Sequence, residues 1–106
     1  MLANIPSAYR ETIAAMLRAL RPGIEVMEID PQEIDAAVES AAPDLVICSW
    51  VTSAIERHAP SWVVLYAGGS DTSLVTMEGR TSVRKDIDFT HLLTVVDQAC
   101  ALAASS

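Results

Sequence analysis

A chain of 106 residues is expected to form one domain over residues 1–106 and to remove roughly two-thirds of its unfolded surface from water, so it needs no metal or disulfide staple. Hydrophobic residues make up 51% of it and aromatics only 5%, which calls for a layered core of Ala, Val, Leu and Ile. The net charge of −7 argues against nucleic acid, whose affinity rests on clustered Lys and Arg, and no apolar run reaches the roughly 20 residues that cross a membrane.

Met1 to Ile5 is a short apolar opening with no basic segment ahead of it, so no secretory leader is expected and the cytoplasm is the expected compartment. Pro6-Ser7 reads as a helix entry with Ser7 as N-cap. Tyr9, Ile13, Met16, Leu17 and Leu20 then share one face at helical spacing, and Arg21-Pro22-Gly23 ends the helix. Ile24 to Ile29 is expected as a strand with Glu25 and Glu28 toward water. Asp30-Pro31-Gln32-Glu33 combines an Asp cap, proline at the first helical position and Glu three residues after the cap. Ile34, Ala37, Val38 and Ala41 give this second helix its apolar stripe.

Pro43-Asp44-Leu45-Val46-Ile47-Cys48-Ser49-Trp50 is the stretch around which the fold should be organised. A continuous apolar run of this length, bounded by turn signals, reads as a parallel strand buried on both faces. Thr52 to His58 has room for two turns of helix before Ala59-Pro60, and Trp62 to Ala67 is the next apolar strand. A Gly68-Gly69-Ser70-Asp71 loop follows. Leu74, Val75 and Met77, then Thr81, Val83 and Ile87, flank Glu78-Gly79 and predict a β-hairpin over about 74–87. Asp88 caps a last helix carrying Phe89, Leu92, Leu93, Val96, Ala99 and Cys100, with a frayed tail from Ala103 to Ser106. Strands alternating with helices predict a doubly wound, mostly parallel sheet with helices in layers on both faces and one antiparallel edge.

Several of these segments resemble the receiver domains of bacterial response regulators. The run Arg21-Pro22-Gly23-Ile24-Glu25-Val26 is similar to a receiver's first helix passing into its second strand, and Ser40-Ala41-Ala42-Pro43-Asp44-Leu45-Val46 to the approach to its phosphoacceptor strand. The resemblance implies a three-layer, flavodoxin-like fold in which the hairpin replaces the usual fourth helix and fifth strand. It also implies altered chemistry. Ser49 stands where a receiver has its reactive aspartate, Ala3-Asn4 where it has its acidic pair, Tyr66 or Ala67 where it has a hydroxyl, and only Lys85 matches the family's lysine. Aspartyl phosphorylation needs a carboxylate nucleophile and a Mg²⁺ ion held by oxygen ligands, so the expected function is that of a non-catalytic pseudo-receiver, without cofactor or metal, acting on a regulatory protein partner.

Candidate sites divide into two groups. Ligands of open α/β sheets bind beyond the carboxyl ends of the strands, where Ser49, Thr52, Gly68, Gly69 and Ser70 could present hydroxyl and amide donors to an anion. This is the alternative function, small-ligand binding. Interface candidates are Trp50, a large apolar side chain just past a strand end, and Arg80, Arg84 and Lys85, which put three of the seven basic residues on the hairpin. A homodimer through edge strand or helix packing is expected. The acids Glu25, Glu28, Asp30, Glu33, Asp35, Glu39 and Asp44 form a run without a base, a solvated face or a surface for a basic partner. Cys48 and Cys100 are expected as small buried hydrophobes, and His58 and His91 lack carboxylates at triad or metal spacing.

Overall fold

In a computed structural model of the chain, which describes residues 1–4, 7–65, 72–85 and 87–105 (the side chains of Ser7, Tyr9 and Ser105 excepted), the apolar run at the centre of the sequence is strand β2 (Leu45–Cys48). Parallel neighbours flank it: β1 (Leu2–Ala3) on one side and β3 (Ser61–Val64) on the other. An antiparallel hairpin of β4 (Thr72–Met77) and β5 (Arg80–Lys85) completes a five-stranded mixed sheet in the order β1-β2-β3-β4-β5. Among the described residues four α-helices accompany it: α1 (Ser7–Leu20), α2 (Ile34–Ala41), α3 (Ser53–His58) and α4 (Phe89–Ser105).

Because side chains alternate along a strand, the two faces of the sheet gather two separate clusters. Leu2, Ile47, Val63 and Val75 pack with Ile13, Ala14 and Leu17 of α1 and Leu92, Val95 and Val96 of α4. Ala3, Val46, Cys48 and Val64 pack with Ile34 and Val38 of α2 and Ala54 and Ile55 of α3. Val46 and Val63, one on each face, are both fully buried, as strands covered on both sides require.

The segment expected as a strand over Ile24–Ile29 is instead a single parallel bridge between Leu2 and Glu28. Its ladder consists of Leu2 N–H donating to Met27 O (2.7 Å) and Ile29 N–H donating to Leu2 O (2.8 Å). A two-residue β1 offers no further rungs on that side. Arg18 holds the segment in place, donating to Val26 O (2.9 Å) and pairing with Glu28 (3.1 Å).

Other boundaries shift for local reasons. Ala14 rather than Met16 meets the sheet, since the small side chain admits the close approach; Met16 and Leu20 are exposed. Pro31–Glu33 forms a 3-10 turn ahead of α2, with Asp30 accepting from Gln32 N–H at 3.0 Å. Of the apolar stripe expected on α2, Ile34 and Val38 are buried and Ala41 is exposed at the helix end. Asp88 caps α4 as expected, its carboxylate accepting from His91 N–H at 2.9 Å. That helix runs on to Ser105 where fraying from Ala103 was expected, and it is tied to the end of α1 by two parallel hydrogen bonds from Arg21 to Asp97 (2.8 and 2.9 Å).

Candidate functional site

Asn4 follows the carboxyl end of β1 and Ser49 that of β2, one residue past the paired Ala3 and Cys48, and Thr52 stands a little further on, at the start of α3. Asn4 is fully buried, and neither its carboxamide nitrogen nor its oxygen has a hydrogen-bond partner. Arg10, on the first turns of α1, donates from Nη1 to Asn4 O at 3.3 Å, while its own Nε is buried and unpartnered. Ser49 is half-buried. The Thr52 hydroxyl serves the fold: it caps α3 by accepting from Ile55 N–H at 3.3 Å and donates to Asp35 Oδ1 at 2.7 Å. Gly68, Gly69 and Ser70, expected to complete an anion loop here, lie outside the described residues, as do Tyr66 and Ala67.

Among the described residues, the donors at these strand ends are the Asn4 carboxamide, the Arg10 guanidinium and the hydroxyls of Ser49 and Thr52. Ser49, Ala3 and Asn4 carry no carboxylate, the group that accepts a phosphoryl or holds a hard cation beside it in aspartyl phosphorylation. Among the described residues no group of three His, Cys, Asp or Glu side chains converges. His58 is exposed in the last turn of α3, and exposed His91 approaches Asp88, its own helix cap, at 3.3 Å.

The two cysteines part company. Cys48 is buried in β2, and burial pushes its thiol up to about 12; as a protonated thiol it is no nucleophile. Cys100, expected to be buried, is exposed. The inward position of this turn of α4 is taken by its neighbour Ala99.

The four interface candidates do not form one patch. Trp50, 48% exposed, follows β2, whereas Arg80, Arg84 and Lys85 lie on β5, with β3 and β4 between. The register separates the bases as well. Lys85 stands opposite Thr72 and Arg84 opposite Ser73, near the end of the sheet where the parallel strands finish; Arg80 stands opposite Met77, beside the hairpin turn. All six residues of β5 are exposed.

A cavity of about 360 Å³ lies at the other end of the sheet, lined among others by Leu17, Ile24, Val26, Asp44, Leu45 and Val96. Only its small lining residues, Gly23, Ala41, Ala42 and Ala99, hint at it in the sequence. The Met1 amine at its rim donates to Leu45 O (2.9 Å), and burial lowers that amine to about 6.

Among the described residues, fold and strand ends together define an α/β domain with a five-stranded mixed sheet, four helices and an exposed antiparallel edge strand. Compared with known proteins, the chain matches no family model, no curated protein and no solved structure.

Proposed function

We propose that the chain is a non-catalytic, receiver-like interaction module that engages a regulatory protein partner by shape and charge, without phosphorylation. The carrying observation is β5: an edge strand exposed along its whole length, bearing three of the seven bases of an acidic protein. Such an edge is a template for pairing with another chain. The flavodoxin-like, doubly wound layering that goes with this function draws support from the parallel neighbours Glu28, β1, β2 and β3 in that order, and from the helix pairs on the two faces. The cytoplasm is the compartment such a module would occupy.

A homodimer belongs to the same proposal. Symmetric pairing of two β5 edges sets like charges against each other, which is destabilising. Exposed Met16 and Leu20, one turn apart on α1, offer two copies a better contact. Incubation with a small acyl phosphate and Mg²⁺, followed by intact-mass measurement, tests the absence of phosphotransfer: the mass is expected to stay unchanged, and an acylphosphate adduct at any residue would overturn the proposal. Native mass spectrometry reads the dimer, which Leu20→Glu should dissociate.

A second function, binding of a small anion at the strand ends, is favoured by the unpartnered carboxamide of Asn4 and the unpartnered Nε of Arg10, whose Nη1 donates to Asn4 O. Buried polar groups usually find partners, and an anion accepting from both donors would supply one. A stoichiometric extra mass in the same native spectrum, lost in Arg10→Ala, would put this function first.

A further inference from the structure

We propose that β5 accepts an acidic, extended segment of a partner protein as a sixth, antiparallel strand. The proposal rests on the chain being an interaction module and names the chemistry of what that module binds.

The geometry of the hairpin decides which backbone groups are on offer. Its two turn residues, Glu78 and Gly79, both have positive φ (49° and 85°), as the two-residue turn matched to strand twist demands. That turn makes Met77 and Arg80 a hydrogen-bonded pair, and such pairs alternate along an antiparallel ladder. Arg80, Ser82 and Arg84 therefore direct their N–H and C=O groups at β4, while Thr81, Val83 and Lys85 direct theirs at the open edge. Consistent with this alternation, the hydroxyls of Thr76 and Thr81 lie 2.8 Å apart, the close approach of a pair without mutual backbone bonds. No proline interrupts the strand, and Val83 is 63% exposed, a loss of buried apolar area that an added strand would repair.

Charge selects the occupant. Cross-strand partners share a face, so Arg80, Ser82 and Arg84 project with Val75 on the side of α1 and α4, and Thr81, Val83 and Lys85 project with Leu74 on the side of α2 and α3. Both faces of the edge thus carry a base. A second β5 would meet these bases with its own, whereas a strand with acids opposite Arg80, Arg84 and Lys85 and an apolar residue opposite Val83 would pair every one of them. The same residues that block self-pairing admit an acidic strand, and strand addition of this kind takes its affinity from main-chain hydrogen bonds and its specificity from alternate side chains.

The test titrates the intact ¹⁵N-labelled protein with a capped peptide, Glu-Glu-Val-Thr-Thr-Glu, and with its charge-reversed counterpart, Lys-Lys-Val-Thr-Thr-Lys. The acidic peptide is expected to shift the amides of β5 and to slow hydrogen exchange at Thr81, Val83 and Lys85. It should bind about tenfold more weakly at high salt. The triple variant Arg80→Glu, Arg84→Glu, Lys85→Glu should exchange the preference and bind the basic peptide, a gain that misfolding cannot mimic. Val83→Pro removes one outward N–H without touching the ladder to β4, and is expected to lose at least about tenfold in affinity for the acidic peptide. Equal binding of both peptides, binding of neither, or shifts confined to another surface would overturn the proposal. Undiminished binding by Val83→Pro would overturn strand addition alone and leave a basic docking surface. The absence of phosphotransfer is read separately, by the acyl phosphate experiment.

Discussion

Thr52 donates its hydroxyl proton to Asp35 at 2.7 Å while accepting from Ile55 N–H at 3.3 Å, so one side chain both starts α3 and ties it to α2. A hydroxyl committed in this way is a poor ligand donor, although its place after β2 suggested otherwise. Thr52→Ala removes both bonds and should cost about 1–2 kcal/mol of stability, measured by urea denaturation. Thr52→Ser keeps both and should lie close to the wild type. If Thr52→Ala unfolds at the same urea concentration as the wild type, the tie contributes nothing.

How much of this could be seen in the residues depends on how local the cause was. The central strand Leu45–Cys48, the Asp30 and Asp88 caps and the Glu78-Gly79 hairpin were legible because each is set by a few neighbouring residues: an apolar run, a carboxylate ahead of a helix, a turn dipeptide. The bridge at Glu28 was not, because its length is limited by β1, which is distant in sequence and only two residues long. Helical spacing put Met16 on the apolar face and left Ala14 out of it, and only the approach of α1 to the sheet decides that Ala14 goes inside while Met16 is exposed. At the candidate site, Asn4 reads in the sequence as a residue in the place of an acid, whereas its burial and its lack of hydrogen-bond partners depend on the folded chain around it. The spread of Trp50 and the β5 bases over different strands is a matter of sheet order, which the alternation of strands and helices does not by itself specify.

The thiols should differ in reactivity by virtue of burial alone. Cys48 is enclosed and its thiol pushed up to about 12 by burial, whereas Cys100 faces solvent. Treating the folded protein with an alkylating reagent near neutral pH should add one label, at Cys100, and unfolding should expose the second. Rapid labelling of Cys48 in the folded state would mean that β2 opens far more readily than a strand buried on both faces should.

The hairpin turn carries a strain that a substitution can relieve. Glu78 occupies the left-handed region at φ 49°, where a side chain without a local hydrogen bond to its backbone is disfavoured. Asn is the preferred residue at this position of such a turn, so Glu78→Asn should stabilise the protein by about 0.5–1 kcal/mol. Gly79→Ala, at φ 85°, should destabilise it by about 1 kcal/mol or more. Thermal melting of the two variants should move in opposite directions; a common direction would show that the turn is not held in this conformation.

Stability should also respond to pH between about 6 and 8, through the Met1 amine at the rim of the cavity. Burial is the largest influence on it and lowers it from 8.0 to about 6, with Asp44 acting in the opposite sense. The native state therefore favours the neutral amine, and the unfolded chain binds the extra proton. The stabilisation is complete above pH 8, declines as pH falls from 8 to 6, and is absent below, a change of roughly 3 kcal/mol for a shift of this size. Urea unfolding at pH 8 and pH 6 measures the difference. Asp44→Asn removes a carboxylate that favours the charged amine, so it should lower the amine further and move the midpoint of the decline to more acid pH. A stability that is flat across this window would show that the amine is solvated rather than enclosed against Leu45.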